Sequence, residues 1–169
     1  MDLRSQVESI VEKILPAVQA LIAQLEHTAG PPEARLDPRE LERQCRDLGL
    51  AVGHEVFGRL LQAYGDGKQG TVVRCPCGGA RRWVGTRART LRDLMNREVT
   101  LQRAYYFCDA CGQGWLPLDE ALGLTSAHVT PALYEVAVTC GSMAPPEEAA
   151  EVLTVVAGVT LSAKSIERY

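Results

Sequence analysis

"CPCGGARRWVGTRARTLRDLMNREVTLQRAYYFCDACG" (Cys75–Gly112) decides the fold. It opens and closes on a pair of closely spaced cysteines. Cys75 and Cys77 are separated by one residue, Cys108 and Cys111 by two, and each pair is followed by a glycine, Gly78 and Gly112. The 30 residues between the pairs are strand-like, with "RRWVG" and "EVTLQRAYYFC" on either side of "DLMNRE" (93–98), which reads as a hairpin turn. Two tight turns on a small sheet bring four soft ligands together from separate segments, as tetrahedral Zn2+ requires. The pattern predicts a zinc ribbon with Cys75, Cys77, Cys108 and Cys111 as ligands. The first pair is one residue shorter than the commonest spacing, and Pro76 restricts its turn. A disulfide or reactive dithiol and an unmetallated core are the alternatives. A closed four-thiolate site leaves no position for water or substrate, so the metal's expected role is structural.

The same stretch is rich in arginine. From Gly70 to Arg103 there are eight arginines against Asp93 and Glu98, in a chain of 169 residues whose formal net charge is −3. The positive charge is therefore local, and local field matters more than the total for phosphate contact. Neutralising a thiolate cluster accounts for Arg74 or Arg81, and the surplus points to nucleic acid. Arg81, Arg82, Arg87, Arg89, Arg92, Arg97 and Arg103 are the expected DNA contacts. Arg87 with Arg89, and Arg97 with Arg103, share a strand face if the alternation is unbroken. A solvated basic face is the bland alternative. In the last run Val99, Leu101, Arg103, Tyr105 and Phe107 fall on one face. Trp83, Tyr105 and Tyr106 fill a thin core or stack on bases.

On either side of the ribbon the pattern is helical, giving an α+β chain in three parts: an N-terminal helical region (1–70), the ribbon (71–117) and a C-terminal helical region (118–169). Val7, Val11, Ile14, Val18, Leu21 and Leu25 form a heptad-like seam, widened by Ile10, Leu15 and Ile22, on a helix over 4–27 interrupted by Pro16. That seam serves either its own domain or a homodimer. "AGPPEA" (29–34) reads as a linker. Asp37, Pro38 and Glu40 start a second helix. Its expected buried stripe includes Leu41, Cys45, Leu48, Val52, Val56, Leu60 and Tyr64, with close helix contact at Gly49, Gly53 and Gly58. Cys140 is a further buried apolar candidate, and His27, His54 and His128 lack ligand-like spacing. Further on, helices start at Thr130–Pro131 and near Pro146. Gly158 ends the latter, and Ser162 caps a last helix carrying Lys164 and Arg168. This has a helix-turn-helix layout, which adds those two cations as DNA contacts. The first apolar stretch is interrupted by Glu8, Glu12 and Lys13, so neither a secretory signal nor a membrane span is expected and the cytosol is the default location.

"CPCGG", "RAYYFCDACGQGWLPLDEALGL" and "PPEEAAEVLTVVAGVTLSAKSIER" together resemble the N-terminal half of ISKra-type insertion-sequence transposases, from about Arg74 to Tyr169. The resemblance implies DNA binding at transposon ends and assembly with a catalytic domain or a full-length transposase. Nothing here matches the family's acidic catalytic domain. Asp119 and Glu120 are adjacent and do not form a separated carboxylate set. The expectation is a non-catalytic module, probed as the first part of a split or truncated transposase. A protein-interaction adaptor with a structural zinc and no DNA contact is the competing expectation.

Overall fold

The computed structural model describes residues 3–28 and 37–169, and the fold is α+β. The expected linker at 29–34 lies outside the described residues, as do the side chains of His27 and of Val7, Ile10, Leu21 and Leu25 from the expected seam. The chain divides into two compact units, Met1–Leu60 and Leu61–Tyr169. The ribbon and the C-terminal helices belong to one unit.

In the first unit, α1 (Leu3–Thr28) carries Pro16 without interruption of the helix. Ile14 is buried, while Val11, Leu15 and Ile22 are exposed. At 100° per residue these three project within about 40° of one another. The second helix, α2 (Pro38–Tyr64), begins as its sequence dictates, with the Asp37 carboxylate accepting from the Arg39 amide at 3.0 Å. Two expectations for α2 are corrected. None of its residues is buried, and Cys45, Leu60 and Tyr64 are exposed. A Cβ at Gly49 or Gly58 would meet nothing within 4 Å, so close helix contact does not explain those glycines.

The second unit is built on a four-stranded antiparallel sheet in sequence order: β1 (Val72–Arg74), β2 (Ala80–Arg92), β3 (Glu98–Cys108) and β4 (Gln113–Trp115). The turn between β2 and β3 is held by Asp93, whose buried carboxylate accepts from the Met95 and Arg97 amides at 3.0 and 2.9 Å. Asn96 takes the left-handed conformation there (φ 60°). Register is continuous from Arg92↔Glu98 to Arg81↔Cys108, except for an extra residue at Val84, between Trp83 and Gly85.

The long hairpin buries opposite faces at its two ends. Near the turn, Leu91, Val99, Leu101 and Arg103 are buried on one face. Beyond Arg103 the burial passes to Ala104, Tyr106 and Cys108, which alternation places on the other face. The expected row Val99–Phe107 therefore shares a face but not a burial. Two coverings explain the switch. On the first face, α3 (Pro117–Ala121) lies against β3 and brings buried Leu118. Residues 128–130 also pair with Arg92 at the hairpin edge. On the second face, the chain after α2 crosses the sheet. The Ala104 amide donates to the Asp66 carbonyl at 2.9 Å and the Trp83 amide to the Thr71 carbonyl at 2.9 Å, on opposite edges of the hairpin. The Tyr106 hydroxyl lies beneath, accepting from Gln69 N–H at 2.9 Å and donating to the Gly70 carbonyl at 2.8 Å.

The remaining core joins three helices, α4 (Pro131–Met143), α5 (Pro146–Val152) and α6 (Ala163–Arg168). Ala137, Ala149, Leu153 and Ile166 form one buried cluster; Ala127, Val129, Leu133 and Val159 form another toward the hairpin. After α5 the helix widens into a π-helical turn (Leu153–Ala157) and stops at Gly158, in the left-handed conformation. The Ser162 side chain caps α6 by accepting from the Ser165 amide at 3.2 Å. Cys140, expected to be buried, is half-buried against the first of these clusters.

Candidate metal centre and arginine surface

The two cysteine pairs meet at the end of the sheet farthest from the hairpin turn. The Cys75–Cys77 turn is closed by Cys75 N–H to the Gly79 carbonyl and Gly78 N–H to the Cys75 carbonyl, both at 2.9 Å. The Cys108–Cys111 turn is closed by Gly112 N–H to the Cys108 carbonyl at 2.8 Å. The four Sγ atoms lie within 4.8 Å of one another, and this group could hold a metal ion. Cys75 approaches Cys111, and Cys77 approaches Cys108, at 3.7 Å in each case. Four thiolates at about 2.3 Å from a central Zn2+ stand roughly 3.8 Å apart on the edges of a tetrahedron. A disulfide needs its sulfurs at about 2.05 Å. The cage fits a tetrahedral ion and matches no cystine.

The shortened first pair closes on the cage despite Pro76. The amide that stabilises the Cys75 sulfur belongs to Cys77, so the N–H that proline lacks is not needed. That hydrogen bond is the largest cause of a Cys75 pKa lowered to about 7; contacts with Cys77, Cys108 and Cys111 assist, and burial opposes. At Cys111 the Gln113 amide supplies the equivalent bond and lowers the pKa. Desolvation and the sulfurs of Cys108, Cys77 and Cys75 outweigh it and push Cys111 up to about 12. Without a cation the four sulfurs cannot all be thiolates at neutral pH. A divalent ion removes that conflict.

The expected DNA-contacting side chains fall into separate environments. Arg103 is buried and donates to Asp119 Oδ2 at 2.6 Å, and Arg89 reaches the same oxygen at 3.4 Å. Arg89 also donates to the carbonyls of Thr125 and Ala127. Arg92 donates to the Thr160 carbonyl at 2.9 Å. These three clamp the sheet to the following chain, and each directs at least one guanidinium donor to a protein acceptor rather than to solvent. Arg81 is half-buried over the Trp115 ring, 4.9 Å from its centroid, in the same cross-strand row as Cys108. Arg82, Arg87 and Arg97 are exposed, as are Lys164 and Arg168 on α6. Arg82 and Arg87 have no side-chain hydrogen bond or ion pair among the described residues. Arg87 instead stacks on Tyr105, 3.5 Å from the ring centroid.

Sequence reasoning missed Asp119 as the hub of the clamp. It lies one residue after a buried leucine in "PLDE", where a carboxylate is forced inward with its neighbour, but no spacing rule pairs it with Arg103. It also missed Lys68, whose ammonium sits 3.7 Å from the Trp83 ring centroid. No helix among the described residues is long and apolar enough to cross a membrane. Comparison with protein-family models, curated proteins and solved structures gave no match.

Proposed function

We propose that this chain is a non-catalytic, zinc-stabilised DNA-binding and assembly module of the kind that precedes the catalytic domain in ISKra-type transposases. Cys75, Cys77, Cys108 and Cys111 hold the ion, and the ion supplies folding energy where the sheet is thinnest. Four thiolates complete its shell, so no position is left for substrate. The observation that carries DNA binding is the pair Arg82 and Arg87. Both are exposed on one sheet face and unspent on protein acceptors, in strands whose only carboxylate is Glu98 at the far end. Arg97, Lys164 and Arg168 extend the contact, and transposon ends are the DNA the resemblance names. A second copy, joined through the exposed Val11–Leu15–Ile22 face of α1, and the catalytic part of a transposase are the protein partners.

A protein-interaction adaptor is the second reading. One observation favours it: Val152, Val155 and Val156 at the end of α5, and Met143 at the end of α4, are large apolar side chains left exposed.

Binding to a labelled duplex, titrated against salt, separates the two. Three phosphate contacts, from Arg82, Arg87 and one further cation, give a slope of about −2.7 in log K against log salt. Affinity should then fall about 40-fold between 50 and 200 mM salt, and Arg87→Ala should flatten the slope by about 0.9. Absence of binding to duplex and to single strand at low salt, or a slope near zero, rejects DNA binding and leaves the adaptor.

A further inference from the structure

The open half of the first sheet face has a composition that phosphate binding alone does not explain. Register places Val72, Arg82, Phe107 and Gly114 in one row across all four strands. The next row holds Gly85 and Tyr105, and the one after it begins with Arg87. Asp119 of α3 reaches Arg103 and Arg89, and beyond them on this face Val72, Arg82 and Arg87 are exposed while Tyr105 and Phe107 are half-buried. Two aromatic rings therefore lie on a sheet surface between exposed arginines.

Glycine makes room for the Tyr105 ring. A Cβ at Gly114 would stand 2.6 Å from the Tyr105 hydroxyl, so only glycine lets the Tyr105 ring lie across β4. A Cβ at Gly85, beside Tyr105, would meet nothing within 4 Å. Arg87 lies against the Tyr105 ring with no side-chain hydrogen bond or ion pair among the described residues, and a guanidinium plane is itself a stacking surface. On the opposite face the aromatic Tyr106 is sealed under the crossing chain with both hydroxyl bonds made, so it is core.

A rigid double helix presents its bases edge-on within grooves, and neither Phe107 nor Tyr105, lying on a sheet, reaches them there. Unpaired bases offer flat π-faces, and arginine beside aromatic rings on a sheet suits a single strand. We infer that this face, formed by Phe107, Tyr105, Arg82 and Arg87, binds an unpaired stretch of DNA. Bases stack on Phe107 and on the Tyr105–Arg87 pair, and Arg82 contacts the backbone. The inference rests on the DNA-binding reading above and names the form of DNA it takes.

The test uses the metal-loaded full chain and three labelled 20-nucleotide probes of one sequence: single-stranded DNA, its duplex, and the RNA strand. Duplex carries the denser charge, so electrostatics alone favours it. Tighter binding of the single strand at equal salt is the expected result. Phe107→Leu keeps an apolar side chain in the row and removes the ring, and should weaken single-strand binding about 5- to 100-fold while moving duplex binding less than about twofold. Metal content and Trp emission confirm that the variant is folded. Should it misfold, Tyr105→Leu, which likewise removes a ring and keeps an apolar side chain, gives the same single-strand-selective loss. Equal or tighter binding of duplex, or equal losses on both DNA probes, overturns the inference and leaves DNA binding standing. Tighter binding of the RNA strand overturns the assignment to DNA. No binding of any probe at low salt rejects the DNA reading itself.

Discussion

Removing Asp119 should destabilise the second unit more than removing any exposed arginine. Asp119 Oδ2 is the shared acceptor of Arg103 and Arg89, whose side chains are 10% and 15% exposed against 18% for Asp119. Truncating one partner of a buried pair leaves the other charge uncompensated, at a cost of about 3–5 kcal/mol. Two details place Asp119→Ala near the lower bound. Arg89 keeps the Thr125 and Ala127 carbonyls as acceptors, so the orphaned charge is chiefly Arg103, left with the Ala88 carbonyl at 3.5 Å. Asp119 Oδ1 and Arg103 Nε have no hydrogen-bond partner among the described residues, so the pair is already imperfectly satisfied. The expected loss is about 3 kcal/mol. Urea unfolding followed by tryptophan emission reads this unit alone, because both tryptophans, Trp83 and Trp115, lie in its sheet. With a slope of about 2 kcal/mol per molar urea, the midpoint falls by about 1.5 M. Adding Arg103→Met to Asp119→Ala removes the orphan charge and should restore more than half of the loss. A midpoint shift under about 0.3 M for Asp119→Ala, or no recovery in the double variant, would refute the clamp.

Purified protein should carry one metal ion per chain, and Cys77→Ser should abolish it. Protons compete with the ion for the four sulfurs, so the metal's contribution to stability is present at neutral pH and lost as pH falls; metal analysis across an acid titration checks this, and a metal-free protein that keeps its tryptophan signal contradicts it. On α1, Leu15→Glu with Ile22→Glu should halve the mass measured by light scattering. An unchanged mass removes that face as the dimer contact.

Much of the fold could be read from local chemistry. Proline, Asx and glycine signals at Asp37, Pro131, Pro146, Gly158 and Ser162 act within one turn of chain, and the structure places helix ends at each. The cysteine cluster was equally legible, since four ligands and a strand-turn-strand spacer leave few arrangements. What could not be read was burial on the hairpin. Alternation tells which side chains share a face but not which chain segment will lie on it, and residues 65–71 come before the hairpin in the chain while α3 comes after it. The stripe of α2 failed similarly: apolar periodicity there marks a face, and the described residues leave Leu41, Leu48, Val52 and Val56 only half-buried.

The arginine count misleads for the same reason. All eight look alike in the sequence, and strand parity even places Arg87, Arg89 and Arg103 on a common face. They are separated by where Asp119 reaches. One carboxylate placed over the Arg89 and Arg103 positions converts two cations into internal clamps, and leaves Arg87, directly across from Arg103 in the ladder, to stack on Tyr105. Substitutions along this single hairpin should therefore split at Arg103. On the turn side, loss of Arg89, Arg92 or Arg103 lowers stability, and any loss of binding follows from unfolding. On the cysteine side, Arg82→Ala and Arg87→Ala should leave the urea midpoint unchanged, so any effect they have on a ligand reports contact with it.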